Sequence, residues 1–301
     1  MEVVFLEELN NLENVSKNIN LVLGLFDGLH VGHVQLIRTA RYFSNGKLAV
    51  ITFDKTLKSN DHSVLLNLED KIKGFEDLEV DEVYIIKCDE NFKKMSYLDF
   101  INKILKKFCP KKIFCGLDFK FGYKAQGDVN TLKEFFSDVV VLNYVNTHDG
   151  SKISSSVIKK MIKEGKIEDA NRYLGREYFL NGKVVKGKQN GHQLGYPTLN
   201  LELLDNYVIP QNGVYITKTK VGNGIYYSMT NVGTHPTIDE VNKPLVESYL
   251  IDFNENIYNK NVRVYFIKKI RDEIKFSSIE ELKNTLKNNE EEVKRYFNIN
   301  F

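Results

Sequence analysis

Apolar positions along this chain fall into two textures, and the change comes near residue 175. Ahead of it, short continuous apolar runs occupy residues 21–23, 48–53, 83–86, 113–115 and 139–142, separated by longer stretches of helical pattern. In "SYLDFINKILKKF", Ser96 with Asp99 reads as a capping box. Ile101, Ile104, Leu105 and Phe108 follow it with the i, i+3, i+4, i+7 stripe of an amphipathic helix. Strands alternating with helices predict a parallel sheet covered on both faces. Beyond residue 175 the period shortens to two. "GVYITKTK" and "IYYSMTNV" flank the turn signal Gly222-Asn223-Gly224, which predicts a hairpin. "VESYLIDF" and "VRVYFIKKI" flank "NENIYNKN" in the same manner, a second expected hairpin. "SSIEELKNTLKNNEEEVKRYF" reads as one helix, capped by Ser278, with Ile279, Leu282, Leu286, Val293 and Phe297 on its apolar side. Residues 154–174 read as helical and lead into the second half. The expected class is α/β: an N-terminal domain (1–175) with a Rossmann-like parallel sheet, then a small antiparallel β-barrel (176–301) closed by a C-terminal helix.

Composition narrows the partners. At 301 residues the chain is long enough for two domains with their own cores. Its 42 basic and 40 acidic side chains leave a net charge of +2, which gives no electrostatic case for nucleic acid or a membrane surface. Cys88, Cys109 and Cys115 form no C-x-x-C pair and sit at no zinc-ligand spacing from histidines, as suits reduced thiols in a cytoplasm. "MEVVFLEELN" lacks the basic and apolar regions of a signal peptide, and no apolar run reaches the ~20 residues of a membrane helix.

Chemistry concentrates in "LVLGLFDGLHVGH", residues 21–33. It follows the first strand and precedes the helical "VQLIRTARYF". Loops at the carboxyl ends of parallel strands are where open α/β sheets bind ligands. Gly24, Gly28 and Gly32 stand four apart, so G-x-G-x-x-G fails, and no G-K-[ST] follows to make a Walker A loop. What remains is H-x-G-H at a helix start. His30 and His33, three apart, lie on one side of a helix. The helix terminus offers free N–H donors and partial positive charge to a phosphate chain, and Gly32 lets a triphosphate approach the backbone. The arrangement suits nucleotidyl transfer, which needs positioning and donors aimed at phosphoryl oxygens. In the second half, Thr198 and Asn200 of "GYPTLNL" share one side if the segment is extended. That side is either a polar strand face or a place where a Thr hydroxyl meets Mg²⁺ completed by water and phosphate. Glu247, among the alternating apolar residues of "LVESYLIDF", either faces solvent or is held for a purpose.

These stretches carry a resemblance. "GLFDGLHVGH" resembles the G-x-F-D-G-x-H-x-G-H signature of the bacterial bifunctional riboflavin kinase/FMN adenylyltransferases, also called FAD synthetases. "CGLDFKFGYKAQGD", "ISSSVIKKMIKEGKIEDANRYLGREY", "GHQLGYPTLNL", "GVY", "NVGTHPT", "VESYLIDF" and "RDEIKF" follow in that family's order, over residues 20–297. The resemblance implies that the chain phosphorylates riboflavin to FMN and adenylylates FMN to FAD, releasing pyrophosphate, with ATP as co-substrate and Mg²⁺ as cofactor. It implies small-molecule partners, and we expect a cytoplasmic monomer or weak homo-oligomer. In the front half it implies His30 and His33 as catalytic groups. Gly24, Phe26, Asp27, Gly28, Gly32, Ser154, Ser155, Ser156 and Lys159 are then nucleotide-binding, and Asp54, Asp118 and Phe119 flavin-binding. In the second half it implies that Glu247 is the general base on the riboflavin 5′-hydroxyl. Gly195, Pro197, Thr198 and Asn200 bind ATP, with Thr198 on Mg²⁺, and Arg271 meets flavin or phosphate.

The glycine-bearing "VVKGKQNGHQLG" reads as a flap over ATP, with His192 a loop residue in it. The sequence departs from the pattern at Leu25, where the family has Asn, in "TFDKTL", which keeps Asp54 but lacks the family's prolines and histidine, and at Lys120, Ser156, Val157 and Lys159. Lys for Arg keeps the charge and loses the bidentate fork. Adenylylation is expected to survive these changes, weakened or with altered acceptor contacts. The alternatives are a riboflavin kinase with a silent front module, and a flavin-binding regulator without turnover.

Overall fold

The computed structural model describes residues 1–6, 12, 15–54, 62–148, 150–187, 195–234 and 244–299. His192 with most of the expected flap, residues 55–57 of "TFDKTL" and the end of "NVGTHPT" lie outside the described residues. The chain divides into two compact units, Met1–Ser155 and Ser156–Phe301. Residues 156–175, which the sequence texture groups with the first half, thus fall in the second compact unit.

The first unit is built on a six-stranded sheet in the order β1-β4-β3-β2-β5-β6, parallel at every pairing. The strands are β1 Glu2–Leu6, β2 Asn20–Leu23, β3 Leu48–Phe53, β4 Glu82–Ile86, β5 Lys112–Gly116 and β6 Val139–Leu142. β2, β3 and β4 are buried at every position, which is why they read as unbroken apolar runs. β1 was not expected; it is an edge strand that pairs with β4 from Glu2 opposite Glu82 to Leu6 opposite Ile86. After β2 the chain steps to β3 and β4 on one side, then to β5 on the other. The carboxyl end of β2 is thus the switch point where ligand crevices form.

The helices are α1 Val31–Phe43, α2 Leu68–Asp77, the single turn α3 Glu90–Lys93, α4 beginning at Tyr97–Asp99, and α5 Val129–Phe135. Ser96 Oγ accepts from Asp99 N at 3.0 Å, capping α4 where expected. Past that cap, α4 continues as π-helix over Phe100–Ile104 and as a 3₁₀ turn over Leu105–Phe108. The irregular winding still buries Phe100, Ile101, Ile104, Leu105 and Phe108 against the sheet.

The second unit begins one residue into α6 Ser155–Lys163 and continues through α7 Ile167–Leu174, the two helices separated by a turn through Gly165 at φ +74°. It continues into a closed barrel of β7 Tyr178–Val185, β8 Thr198–Leu203, β9 Gly213–Val221, β10 Gly224–Thr234, β11 Pro244–Leu250 and β12 Asn261–Arg271. β9 and β10 form the expected hairpin around Gly222, at φ +57°. The second expected hairpin does not form: β11 pairs with β10 and β8, while β12 pairs with β7 and β9. The connection between them is tied elsewhere, since Asn259 N donates to Val184 O of β7 at 2.9 Å and Ile257 is buried beneath it.

Inside the barrel, Thr217, Thr219, Ser228, Thr230 and Ser248 are buried and joined by hydroxyl contacts of 2.8–3.3 Å. Their strand neighbours Val214, Ile216 and Met229 face the other way and pack with Leu286 and Val293 of α8 Ile279–Tyr296 and with Phe297 at its end. Ser278 caps α8 as expected, but Ile279 is 68% exposed and does not join that apolar side. It sits in the first helical position, before the helix reaches the barrel.

Candidate functional site

In the first unit the site grows from the turn that leaves β2. Phe26 and Leu29 are buried and hold φ of +55° and +42°, with Gly28 at +83°, so three of four consecutive residues sit in the left-handed region. Non-glycine residues hold such angles only where surroundings over-determine them. Phe26 sets its ring edge-on to Phe75 of α2 at 5.5 Å and to His33 at 5.2 Å. A Cβ at Gly24 would lie 2.7 Å from the Phe26 ring, so that position takes glycine. Asp27 Oδ1 accepts from Leu65 N at 2.9 Å, and Asp27 O accepts from Ser155 Oγ at 2.8 Å.

The two imidazoles stack with centroids 3.6 Å apart and planes 19° from parallel. His30 is the N-cap of α1 and makes no side-chain cap bond; no acidic residue stands in the first turn, which leaves that end receptive to an anion. A Cβ at Gly32 would come within 3.2 Å of the His30 ring, so the room left by Gly32 faces that imidazole. His33 Nδ1 is enclosed with no hydrogen-bond partner among the described residues. Burial, then the neighbouring His30, then the charges of Lys71 and Lys152, hold the His33 imidazole well below its ordinary pKa. His33 is therefore neutral near pH 7, able to offer or accept one hydrogen bond.

Lys71 was not anticipated. It lies on α2, is only 6% exposed, and donates to Phe53 O at 2.8 Å, with Thr52 Oγ1 at 3.3 Å and Leu25 O at 3.4 Å. The signal available in the sequence was its place four residues before the buried Phe75, on the inward face of "LEDKIKGFED".

The remaining front-half candidates follow the carboxyl edge of the sheet. Asp54, just past β3, accepts from Cys88 N at 2.8 Å. Asp118 and Phe119 follow β5: Asp118 is ion-paired with Lys152, whose ammonium lies 4.0 Å from the Tyr144 ring centroid. Phe119 is partly buried and stacks on Phe121 at 5.7 Å. Lys120 lies 3.6 Å from Asp128, which caps α5. Ser154 and Ser155 precede and open α6, while Ser156, Val157 and Lys159 fall on that helix, in the second unit.

In the second unit strand register assembles the site. Asn200 of β8 stands opposite Glu247 of β11, Glu247 opposite Asn231 of β10, Asn231 opposite Val214 of β9, and Val214 opposite Arg271 of β12. Residues directly opposite share a face. The neighbouring Ser248 and Thr230 are inside the barrel, so this rung lies outside it. Thr198, opposite Tyr249, is one step along the same face. Four of these residues were expected at the site; Asn231 was not.

Gly195 enters β8 at φ +84° in open space, followed by Pro197. A Cβ on Gly187 would overlap the Asn200 amide, so glycine lets β7's continuation approach it. Arg271 is half-buried, and burial lowers its pKa. With the Asn289 amide oriented so that its oxygen faces the guanidinium, Nε and Nη2 donate to it at 3.3 and 3.1 Å. Asn289 comes from α8 and is buried. Next to Thr198, Tyr249 packs against Tyr196 at 5.1 Å, and burial with the nearby Glu290 pushes the Tyr249 hydroxyl up to about 12.

Among the described residues no group of three or more His, Cys, Asp or Glu side chains could hold a metal ion. A Thr hydroxyl and an Asn amide beside a carboxylate are hard oxygen donors, the chemistry Mg²⁺ takes when water and phosphate complete its shell. No described helix is long and apolar enough to cross a membrane.

Two family models match the chain: FAD synthetase over residues 12–157 and riboflavin kinase over residues 174–297. The bifunctional riboflavin kinase/FMN adenylyltransferase of Bacillus subtilis (strain 168) is 33% identical, over 95% of this chain and 94% of the relative. The protein of the same name from Haemophilus influenzae is 34% identical, over 96% and 98%. A solved structure described as a macrolide-efflux protein from Streptococcus pneumoniae superposes with a TM-score of 0.90 at 30% identity, covering 98% of this chain and 99% of its own.

Proposed function

Since the chain belongs to the bifunctional riboflavin kinase/FMN adenylyltransferase family, we infer that it makes FMN from riboflavin and ATP, then FAD from FMN and a second ATP. The family models and the curated relatives support this reading; the efflux description of the pneumococcal neighbour does not enter it.

In the barrel, which we take with residues 176–301, Glu247 accepts the proton of the riboflavin 5′-hydroxyl as that oxygen attacks the γ-phosphorus of ATP, and ADP leaves. A positioned base is worth roughly 10²–10⁴-fold. Thr198 and Asn200 would hold the phosphates and a Mg²⁺ ion, which would supply neutralisation of phosphoryl charge there. Arg271, fixed by Asn289, sits at the far end of the rung and meets flavin or phosphate. Gly195 and Pro197 shape the entry to the ATP strand.

In the sheet unit, which we take with residues 1–175, a phosphate oxygen of FMN attacks the α-phosphorus of ATP, and pyrophosphate departs. The amino end of α1, with Gly24, Phe26, Asp27, Gly28 and Gly32 shaping the turn, grips the phosphate chain. Neutral His33 and its stacked partner His30 donate to the oxygens where charge builds. Ser154, Ser155, Ser156 and Lys159 serve the nucleotide, and Asp54, Asp118 and Phe119 the flavin. We place the enzyme in the cytoplasm, as a monomer or weak homo-oligomer with no nucleic-acid or membrane partner.

One observation carries the kinase assignment: Asn200 and Glu247 stand directly opposite on one face, with Thr198 beside them. The test is incubation of the purified chain with riboflavin, ATP and Mg²⁺, followed by chromatography of the flavins. FMN should appear first and FAD after it; neither flavin appearing sinks the reading. A second reading, a kinase with a silent front module, draws on Leu25, Lys120 and Val157 and gives FMN without FAD.

A further inference from the structure

A lysine with its ammonium inside a protein is costly unless that charge does something. Lys71 is such a residue, and nothing in the two reactions as described employs it. Its aliphatic stem rises from α2, and α2 is pressed onto the phosphate-gripping turn. Phe75 packs edge-on against Phe26 at 5.5 Å, and a Cβ at Gly74 would overlap Leu29. The ammonium therefore arrives from below at the point where β2 and β3 end. There it meets Phe53 O at 2.8 Å, Thr52 Oγ1 at 3.3 Å and Leu25 O at 3.4 Å, while Thr52 Oγ1 itself donates to Leu25 O at 3.0 Å.

The carboxyl edge of a parallel sheet presents carbonyl oxygens with no further strand residue to satisfy them. Leu25 O and Phe53 O are two such oxygens, and both accept from the Lys71 ammonium, which satisfies them and offsets part of the repulsion they would exert on an anion held nearby. Resting on the adenylyl-transfer reading above, we propose that Lys71 is a positioning residue of that site: an internal ammonium that ties together the ends of β2 and β3 under the turn and keeps a positive field on His33.

The surroundings agree. Burial lowers the Lys71 pKa to about 8, while the carboxylates of Asp27 and Asp54 act in the opposite direction. His33 feels His30, Lys71 and Lys152, all of which disfavour its protonation. Lys71 thus helps keep His33 neutral without touching substrate. It is charged below about pH 8 and loses that charge above.

The experiment measures FAD formation from supplied FMN and ATP across pH for the full chain and two variants, with riboflavin phosphorylation as the internal control. In the unaltered chain, failure to form FAD would overturn the adenylyl-transfer reading itself. Given FAD formation, Lys71→Arg, which keeps the charge and the donors, should remove the fall in kcat above pH 8. Lys71→Met should move the acidic limb upward by about 0.5–1 pH unit, as loss of one nearby cation does. It should also lower kcat by about 10-fold while the KM for FMN stays within about 3-fold, the split expected of a group that does not touch substrate. Neither variant should change FMN production. An alkaline limb unchanged in Lys71→Arg overturns the proposal whether or not Lys71→Met folds, and so does a folded Lys71→Met with an unmoved acidic limb.

Discussion

The two units solve the same problem, holding phosphates beside a reacting oxygen, by opposite means. The sheet unit uses a strained turn. Phe26 and Leu29 at positive φ are kept in place by contacts from far along the chain, among them Ser155 to Asp27 and Lys71 to Leu25. The barrel relies chiefly on register. Asn200, Asn231, Glu247 and Arg271 line up on one rung, and none of them is at positive φ. A strained turn is sensitive to loss of any strut. A rung is sensitive only to slippage, but a slip of one residue turns a whole strand's side chains to the other face. The buried hydroxyls of Thr217, Thr219, Ser228, Thr230 and Ser248 guard against that slip, since a shifted strand would leave them without partners.

The sharpest way to break the comparison is to silence one unit and read the other. Glu247→Gln keeps the shape and removes the base, so riboflavin phosphorylation should drop by about 10³-fold, within the range for a positioned base. FAD formation from supplied FMN should stay intact. His33→Ala should do the reverse, cutting FAD formation by about 10²–10³-fold, as removal of one preorganised donor does, with FMN production untouched. Chromatographic rates with each flavin substrate check both. Equal loss of both activities in either variant would show that the two sites do not work separately.

A milder change tests the rung itself. Gly187→Ala places a methyl where the Asn200 amide now lies. The amide must swing aside while Glu247 stays in place, so the KM for ATP in riboflavin phosphorylation should rise by about 10-fold. That corresponds to ~1.4 kcal/mol of uniform binding lost, with kcat little changed. Steady-state kinetics over a range of ATP concentrations reads the split; a fall in kcat at constant KM would place Asn200 with the base rather than with the nucleotide.

How much of this was legible in the sequence also divides by unit. Strands β2, β3 and β4 announced themselves because burial on both faces makes an apolar run continuous, and the less buried β5 and β6 still showed as short apolar runs. The H-x-G-H turn was legible because glycine and histidine spacing is local. β1 escaped because its pairing partner β4 is some eighty residues away, from Glu2 to Glu82, and local pattern carries no trace of that contact. Lys71 escaped because a lysine in a charged helix reads as solvated, and only the packing of α2 reveals otherwise. In the barrel the alternation was plain, but which strand meets which was not. The segments around "NENIYNKN" look like a hairpin, yet closure of the barrel gives each of them other neighbours. Thr198, Asn200 and Glu247 could be named from their motifs, while Asn231 and Asn289 could be found only once register and the docking of α8 were known.

The smallest expected effect concerns stability rather than rate, and it returns to the strained turn. His33 has its pKa held below 6.5 in the folded chain, chiefly by burial and then by His30. As pH falls through 6.5, the unfolded chain takes up a proton at this residue and the folded chain does not. The unfolded state then binds more protons, so stability declines with acidification. His33's contribution is fully present above pH 6.5 and is lost progressively down to its lower folded-state value. His33→Gln removes the imidazole from both states. Its melting temperature should therefore fall less steeply than that of the unaltered chain between pH 6.5 and pH 5, a difference read by thermal melts in matched buffers at constant ionic strength. Parallel slopes for His33→Gln and the unaltered chain would mean that the stacked imidazoles accept a proton freely, and the neutral donor assigned to the sheet unit would have to be given up.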